Sequence, residues 1–164
     1  MSAFVTSGLG KVHMAARKVF TIGYEQSRPE AVLEALKAAR VELLVDTRAV
    51  AASRKPGFSK RQLAATLDDA GIGYLHLQKL GTPAEGRNAA RAGRLEALWR
   101  IYNKHLKTHD AVEAMDELLT IVGSGKRVCL LCFERDPGHC HRSRIAEILH
   151  ERTGATIVAL VPDH

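Results

Sequence analysis

Residues 127–133 run Arg-Val-Cys-Leu-Leu-Cys-Phe (RVCLLCF). The apolar side chains here are consecutive, not alternate. Because successive side chains of a strand point to opposite faces, a continuous apolar run fits a strand buried on both sides, the environment of a parallel sheet covered by helices. Residues 41–47, Val-Glu-Leu-Leu-Val-Asp-Thr (VELLVDT), show the same character, and the two runs are expected to be neighbours or near neighbours in one sheet. Three further runs complete the set: Val19–Ile22 closed by Gly23, Tyr74–Gln78, and Ala155–Val161. Helical patterns fill the gaps between them. Glu30–Arg40 repeats Val32, Leu33 and Leu36 at helical spacing behind Pro29, and Ser59–Ala70 starts on a serine cap and stops at Gly71. Gly93–Val122 is long and carries Thr108 and Asp110 as interior caps, which divides it into two helices. His141–Arg152 ends at Thr153-Gly154. Strands alternating with helices predict a single α/β domain over 18–164, with a five-stranded, mainly parallel sheet and helices on both faces.

Two segments stand apart. Residues 1–17 show no sustained period and are expected to form a disordered arm or a non-native leader, with Met14 as the natural start. Residues 81–94 (GTPAEGRNAARAGR) lack large apolar side chains and predict an exposed loop.

Composition narrows the class. In 164 residues, 46% are hydrophobic and 26% charged, the usage of an ordinary globular protein and not of a disordered one. Three cysteines cannot all pair within one chain, so a soluble protein of the reducing cytoplasm is expected rather than a secreted disulfide scaffold. No apolar run approaches the length that spans a bilayer, and no membrane association is expected. Lys and Arg total 24 against 18 Asp and Glu, a net charge of +6 that attracts phosphate-bearing ligands. Aromatic residues are only 5%, which weighs against a broad base-stacking platform.

In open parallel sheets ligands bind outside the carboxyl ends of the strands. Reactive residue types gather where that rule places a site: Tyr24 after the first strand, Asp46 and Arg48 after the second, His76 in the third, and Cys132 and Glu134 at the fourth. Cys140, His141 and Arg142 open the following helix. Cys129 points to the other face from Cys132 and is expected to be a core residue. Cys140 near a positive helix end and Arg142 suits a thiolate. Asp46 could act as a base or simply hold Arg48, and Arg48 with Arg142 could clamp an anion. The competing arrangement is internal neutralisation, with Glu134 on Arg142 and Asp46 on Arg48. The stretch Ser53–Phe58 offers a basic pair, a serine and an aromatic for a phosphate or base contact. His76, central in an apolar strand, fits a site role or a satisfied core histidine. Cys132, Cys140 and His141 carry atoms suited to zinc, but their spacing is no zinc knuckle. No metal and no cofactor is predicted. Neither a P-loop nor a glycine-rich dinucleotide fingerprint is present, and the phosphatase spacing of Cys followed five residues later by Arg is absent.

Thr21-Ile22-Gly23-Tyr24, Asp46-Thr47-Arg48, Ser53–Phe58, Tyr74-x-His76 leading to Leu80-Gly81, and Leu131-Cys132-x-Glu134 followed by Cys140-His141-Arg142-Ser143 occur in this order. In these pieces the chain resembles the bacterial and archaeal domain of unknown function family 488, over about residues 18–161. The resemblance implies a compact single-domain α/β fold and leaves the activity open. Two functions remain expected. One is an enzyme acting on a phosphate-bearing substrate, a nucleotide or nucleic acid, with Asp46, His76, Cys132, Glu134 and Cys140 in the chemistry and Tyr24, Arg48, Ser53, His141 and Arg142 in binding. The other is a module that binds such a ligand without turnover.

Overall fold

The computed structural model describes residues 17–136 and 140–163. Five strands form one sheet: β1 (Lys18–Gly23), β2 (Leu43–Asp46), β3 (Gly73–His76), β4 (Val128–Cys132) and β5 (Thr156–Leu160). Their order is β3-β2-β4-β1-β5, and every pairing is parallel. The helices among the described residues are α1 (Pro29–Ala38), α2 (Lys60–Asp69), α3 (Ala84–Arg91), α4 (Leu95–His105), α5 (His109–Gly123) and α6 (His141–Thr153), with a 3-10 turn at Gln78–Leu80. The expected α/β class is therefore found, as an all-parallel sheet. The arm expected over 1–17 lies outside the described residues but for Arg17.

Strand alternation sorts the core into two layers. Val19, Val45, Val128 and Leu130 meet Tyr102 of α4, Leu118 of α5 and Leu149 of α6 on one face. Phe20, Ile22, Leu44, Cys129 and Leu131 meet Leu36 of α1 and Leu67 of α2 on the other. β4 is fully buried along its length and lies between β2 and β1, so VCLLC is apolar because both of its faces are covered. Each fully buried Leu or Phe contributes roughly 1.5–3 kcal/mol of transfer free energy, so these two layers dominate the stabilisation.

Local signals explain most element boundaries. Pro29 opens α1. Thr108 caps α5 by accepting from the Ala111 amide at 3.4 Å, which separates α4 from α5 as the interior caps predict. Ser59 precedes α2, yet its hydroxyl turns away from the helix and exchanges hydrogen bonds with the Ser53 backbone. The segment expected as a loop over 81–94 is mostly helical. Its small residues are contact positions: Gly86 and Ala89 are buried, and a Cβ at Gly86 would press on Thr82 and approach Leu98 and Ile101. Gly86 and Ala89 form the close-packed face of this helix, while Ala84, Glu85, Asn88 and Arg91 are exposed, as expected for the segment. No helix among the described residues is long and apolar enough to cross a membrane.

Candidate functional site

The carboxyl ends of β2, β4 and β1, three neighbouring strands, build the site. β2 ends at Asp46, and the chain turns so that Arg48 folds back on it. Arg48 Nε and Nη2 donate to the two Asp46 carboxylate oxygens at 2.8 and 2.7 Å. Arg48 Nη1 donates to the Phe58 carbonyl at 2.7 Å and to Tyr24 Oη at 3.2 Å. Tyr74 Oη donates to Asp46 Oδ2 at 2.5 Å. Burial works against the Arg48 charge, but the hydrogen bond and charge of Asp46 outweigh it and hold the guanidinium above its ordinary value. Burial, joined by the Asp46 contact, likewise raises Tyr74. Asp46 has no exposed surface and Arg48 very little. This is the neutralised pair: Asp46 holds Arg48 and does not face a ligand, and Arg48 brings little net charge.

β4 delivers Cys132 to the same edge, opposite Gly23 of β1. Cys140 is the N-cap residue of α6. The sulfurs of Cys132 and Cys140 are bonded, with their Cα atoms 7.2 Å apart, wider than the usual span of a bridged pair. Cys129 is free and wholly buried, and burial pushes its thiol up, as befits a core residue. Arg142 is 1% exposed. Its Nη1 donates to Cys132 Sγ at 2.7 Å and to the Glu134 carbonyl, and its Nη2 donates to the Arg135 carbonyl at 3.1 Å. Burial lowers Arg142 below the ordinary guanidinium value. The expected two-arginine anion clamp is thus not the arrangement found. Arg142 points back toward the strand and is occupied by sulfur and carbonyl oxygens.

His141 Nε2 lies 2.7 Å from the Thr47 carbonyl, which can only accept, so this nitrogen carries the proton. Nδ1 then presents its lone pair to Cys140 Sγ at 3.7 Å. Burial lowers His141 to about 4, against the raising effect of the Thr47 bond, so the ring is neutral at physiological pH.

A cavity of about 620 Å³ opens over these groups. Tyr24, Arg48, Cys132, Glu134, Cys140 and His141 line it, together with Ala49, Val50, Leu95, Leu98 and Phe133. Six sequence-predicted site residues therefore meet at one place. Four others do not line it. Asp46 and Arg142 lie in contact with its wall, bonded to Arg48 and Cys132. His76 donates from Nε2 to the Arg48 carbonyl at 2.7 Å and faces a separate polar hollow with Lys79, Asp110, Glu113 and Glu117. Ser53 accepts from the Lys55 amide at 3.1 Å within its own loop. Phe58 is fully buried and stacks on Tyr24 at 4.4 Å, which removes it as a base contact. Two charged lining residues that the sequence does not single out are Arg87 and Arg91 of α3. Their i, i+4 spacing is the signal that places both on one helix face.

The family model for the domain of unknown function DUF488 matches residues 28–149. The chain belongs to the DUF488 family. No curated protein and no solved structure matches it. In this DUF488 protein, close approach explains two glycines, Gly23 and Gly81. A Cβ on Gly23 would collide with the Glu134 carbonyl, which seats the loop after β4 against β1. A Cβ on Gly81 would collide with the backbone of Ala49, next to Arg48. Among the described residues, the side chains that could together hold a metal ion are His109, Asp110 and Glu113, all exposed on α5 and away from the cavity.

Proposed function

We propose that this protein, with its Cys132–Cys140 bridge reduced, is an enzyme that uses the Cys132 thiolate against a phosphate-bearing substrate held in the cavity. The observation that carries the reading is the Arg142 guanidinium donating to Cys132 Sγ at 2.7 Å beside a cavity wall. Once an external thiol reduces the bridge to Cys140, a buried cation kept beside the Cys132 sulfur favours thiolate over thiol, and the thiolate is the nucleophile. Arg142 is a positioning and activating residue here, not a ligand for substrate. Arg87 and Arg91 supply the cationic side of the cavity, since Arg48 is neutralised by Asp46. Glu134 and neutral His141 border the space where protons must be exchanged. Binding alone needs no thiols, which favours turnover over a passive module. A reducing, cytoplasmic compartment is where both thiols remain available.

The test is a turnover and binding screen of the reduced protein against phosphoesters and nucleotides. Turnover that disappears in Cys132→Ser and Glu134→Gln while binding persists is the expected result. A ligand that binds wild type tightly and is never altered makes the protein a binding module. No phosphate-bearing ligand at low salt removes the reading.

A further inference from the structure

We infer that the rim of the cavity seats a nucleobase, so that the phosphate-bearing substrate is a nucleotide unit; this rests on the phosphate reading above. The large hydrophobic residues exposed among the described ones are Val50, Leu95, Val112, Phe133 and Val161. Three of them, Val50, Leu95 and Phe133, line the cavity that also holds the Cys132 and Cys140 sulfurs. Single exposed apolar residues are ordinary, but a group gathered at a concave opening marks a ligand surface. Phe133 is 46% exposed. Its ring is held by an edge contact with Tyr24, centroids 5.4 Å apart and planes at 82°. An aromatic side chain fixed in place and still open to the cavity is a stacking surface that costs little entropy to use.

Charge supplies the second half of the argument. Arg87 and Arg91 line the same cavity from α3. Arg87 Nη1 donates to the Thr82 carbonyl at 2.8 Å, which steadies the arm and leaves other guanidinium donors for an anion. A ligand that satisfies both the apolar rim and the cationic wall needs a flat, weakly polar group joined to a phosphate. Inorganic phosphate and sugar phosphates have no use for the rim, and an uncharged aromatic has none for the arginines. A volume of about 620 Å³ falls within the range of small-molecule sites. One exposed aromatic also reads one base, in keeping with a chain of 5% aromatic residues.

The test is calorimetric titration of the reduced protein at low salt with AMP, ribose 5-phosphate and a short single-stranded oligonucleotide. Wild type is compared with Phe133→Ser, a surface change, and with Arg87→Gln/Arg91→Gln. AMP is expected to bind at least about 10-fold more tightly than ribose 5-phosphate, the scale of one base–aromatic stack. Phe133→Ser should erase that preference, whereas the double arginine change should weaken both ligands alike. An oligonucleotide tighter than AMP identifies a strand as the source of the nucleotide, and a weaker one identifies the free nucleotide. Equal affinity for AMP and ribose 5-phosphate in wild type overturns the base subsite and leaves the phosphate reading standing. Binding of neither overturns both.

Discussion

Arg142 and Cys132 are ten positions apart in the chain, yet the guanidinium of one donates to the sulfur of the other at 2.7 Å. The first turn of α6 thus reaches back to the strand that precedes it. A hydrogen bond to a charged group contributes about 1.5–3 kcal/mol, equivalent to roughly 10- to 100-fold in an equilibrium. Replacing Arg142 by Gln should therefore lower the thiolate population of Cys132 by about that factor. The measurement is the pH dependence of iodoacetamide alkylation of the reduced protein, read at Cys132 by peptide mass. An unchanged profile in Arg142→Gln would show that the contact does not tune the sulfur.

Oxidation gives a second prediction. Cys132 and Cys140 are joined sulfur to sulfur, while Cys129 is free and buried. Mild treatment with a thiol oxidant such as diamide should consume both cavity thiols together, with loss of two hydrogens, and leave Cys129 as a thiol. Alkylation at Cys132 should stop and return after reduction by a dithiol. Any bridge found between Cys129 and another cysteine contradicts this assignment.

The Asp46–Arg48 pair predicts an asymmetric stability response. Removing one partner leaves an uncompensated buried charge, at a cost of about 3–5 kcal/mol. Asp46→Asn should therefore depress the melting temperature by on the order of 10 °C for a chain of this size. Arg48→Met combined with Asp46→Asn removes both charges and should recover a large part of that loss. Thermal unfolding of the three proteins checks it, and a double variant no more stable than Asp46→Asn refutes the pairing argument.

His141 sets a pH window. Its folded value, lowered by burial to about 4, lies below the ordinary 6.5. Below 6.5 the unfolded chain takes up a proton that the folded chain refuses, so stability is full above that pH and is lost as pH falls toward 4. Linkage sets the scale at up to about 3 kcal/mol, reduced by the partial exposure of the ring. Urea unfolding between pH 4 and 7.5 should show this slope on top of the carboxylate contribution. His141→Gln, which keeps a donor for Thr47, should flatten the part between 6.5 and 4. An identical slope in both proteins would assign the acid sensitivity elsewhere.

The sheet was legible because β4 and β2 present apolar side chains to both faces, and only a strand covered on both sides uses Leu130 and Leu131 in succession. The meeting of Tyr24, Arg48, Cys132 and Cys140 followed from the rule that parallel strands end on one edge. The direction of Arg142 was not legible. An arginine in a first helical turn can face outward to an anion or back to its own preceding strand, and the choice depends on carbonyls of Glu134 and Arg135 that only the folded loop positions. Asp46 and Arg48 allowed either a clamp or mutual neutralisation, and burial decided it. Helix α3 is not legible because 81–94 lacks the large apolar side chains that reveal a helical period; the small Gly86 and Ala89 face the core instead, and Gly86 lets the helix lie close to Thr82.

With Arg48 silenced and Arg142 turned inward, the cationic side chains facing the cavity from α3 are Arg87 and Arg91, both within eight consecutive residues. The sulfur chemistry comes from β4 and α6, a different stretch of chain. Under the proposed function, selection of the anion and reactivity of the thiol would therefore be carried by separable segments. Changing the cavity-facing positions of α3 is then expected to alter ligand preference while the Arg142–Cys132 contact keeps its geometry.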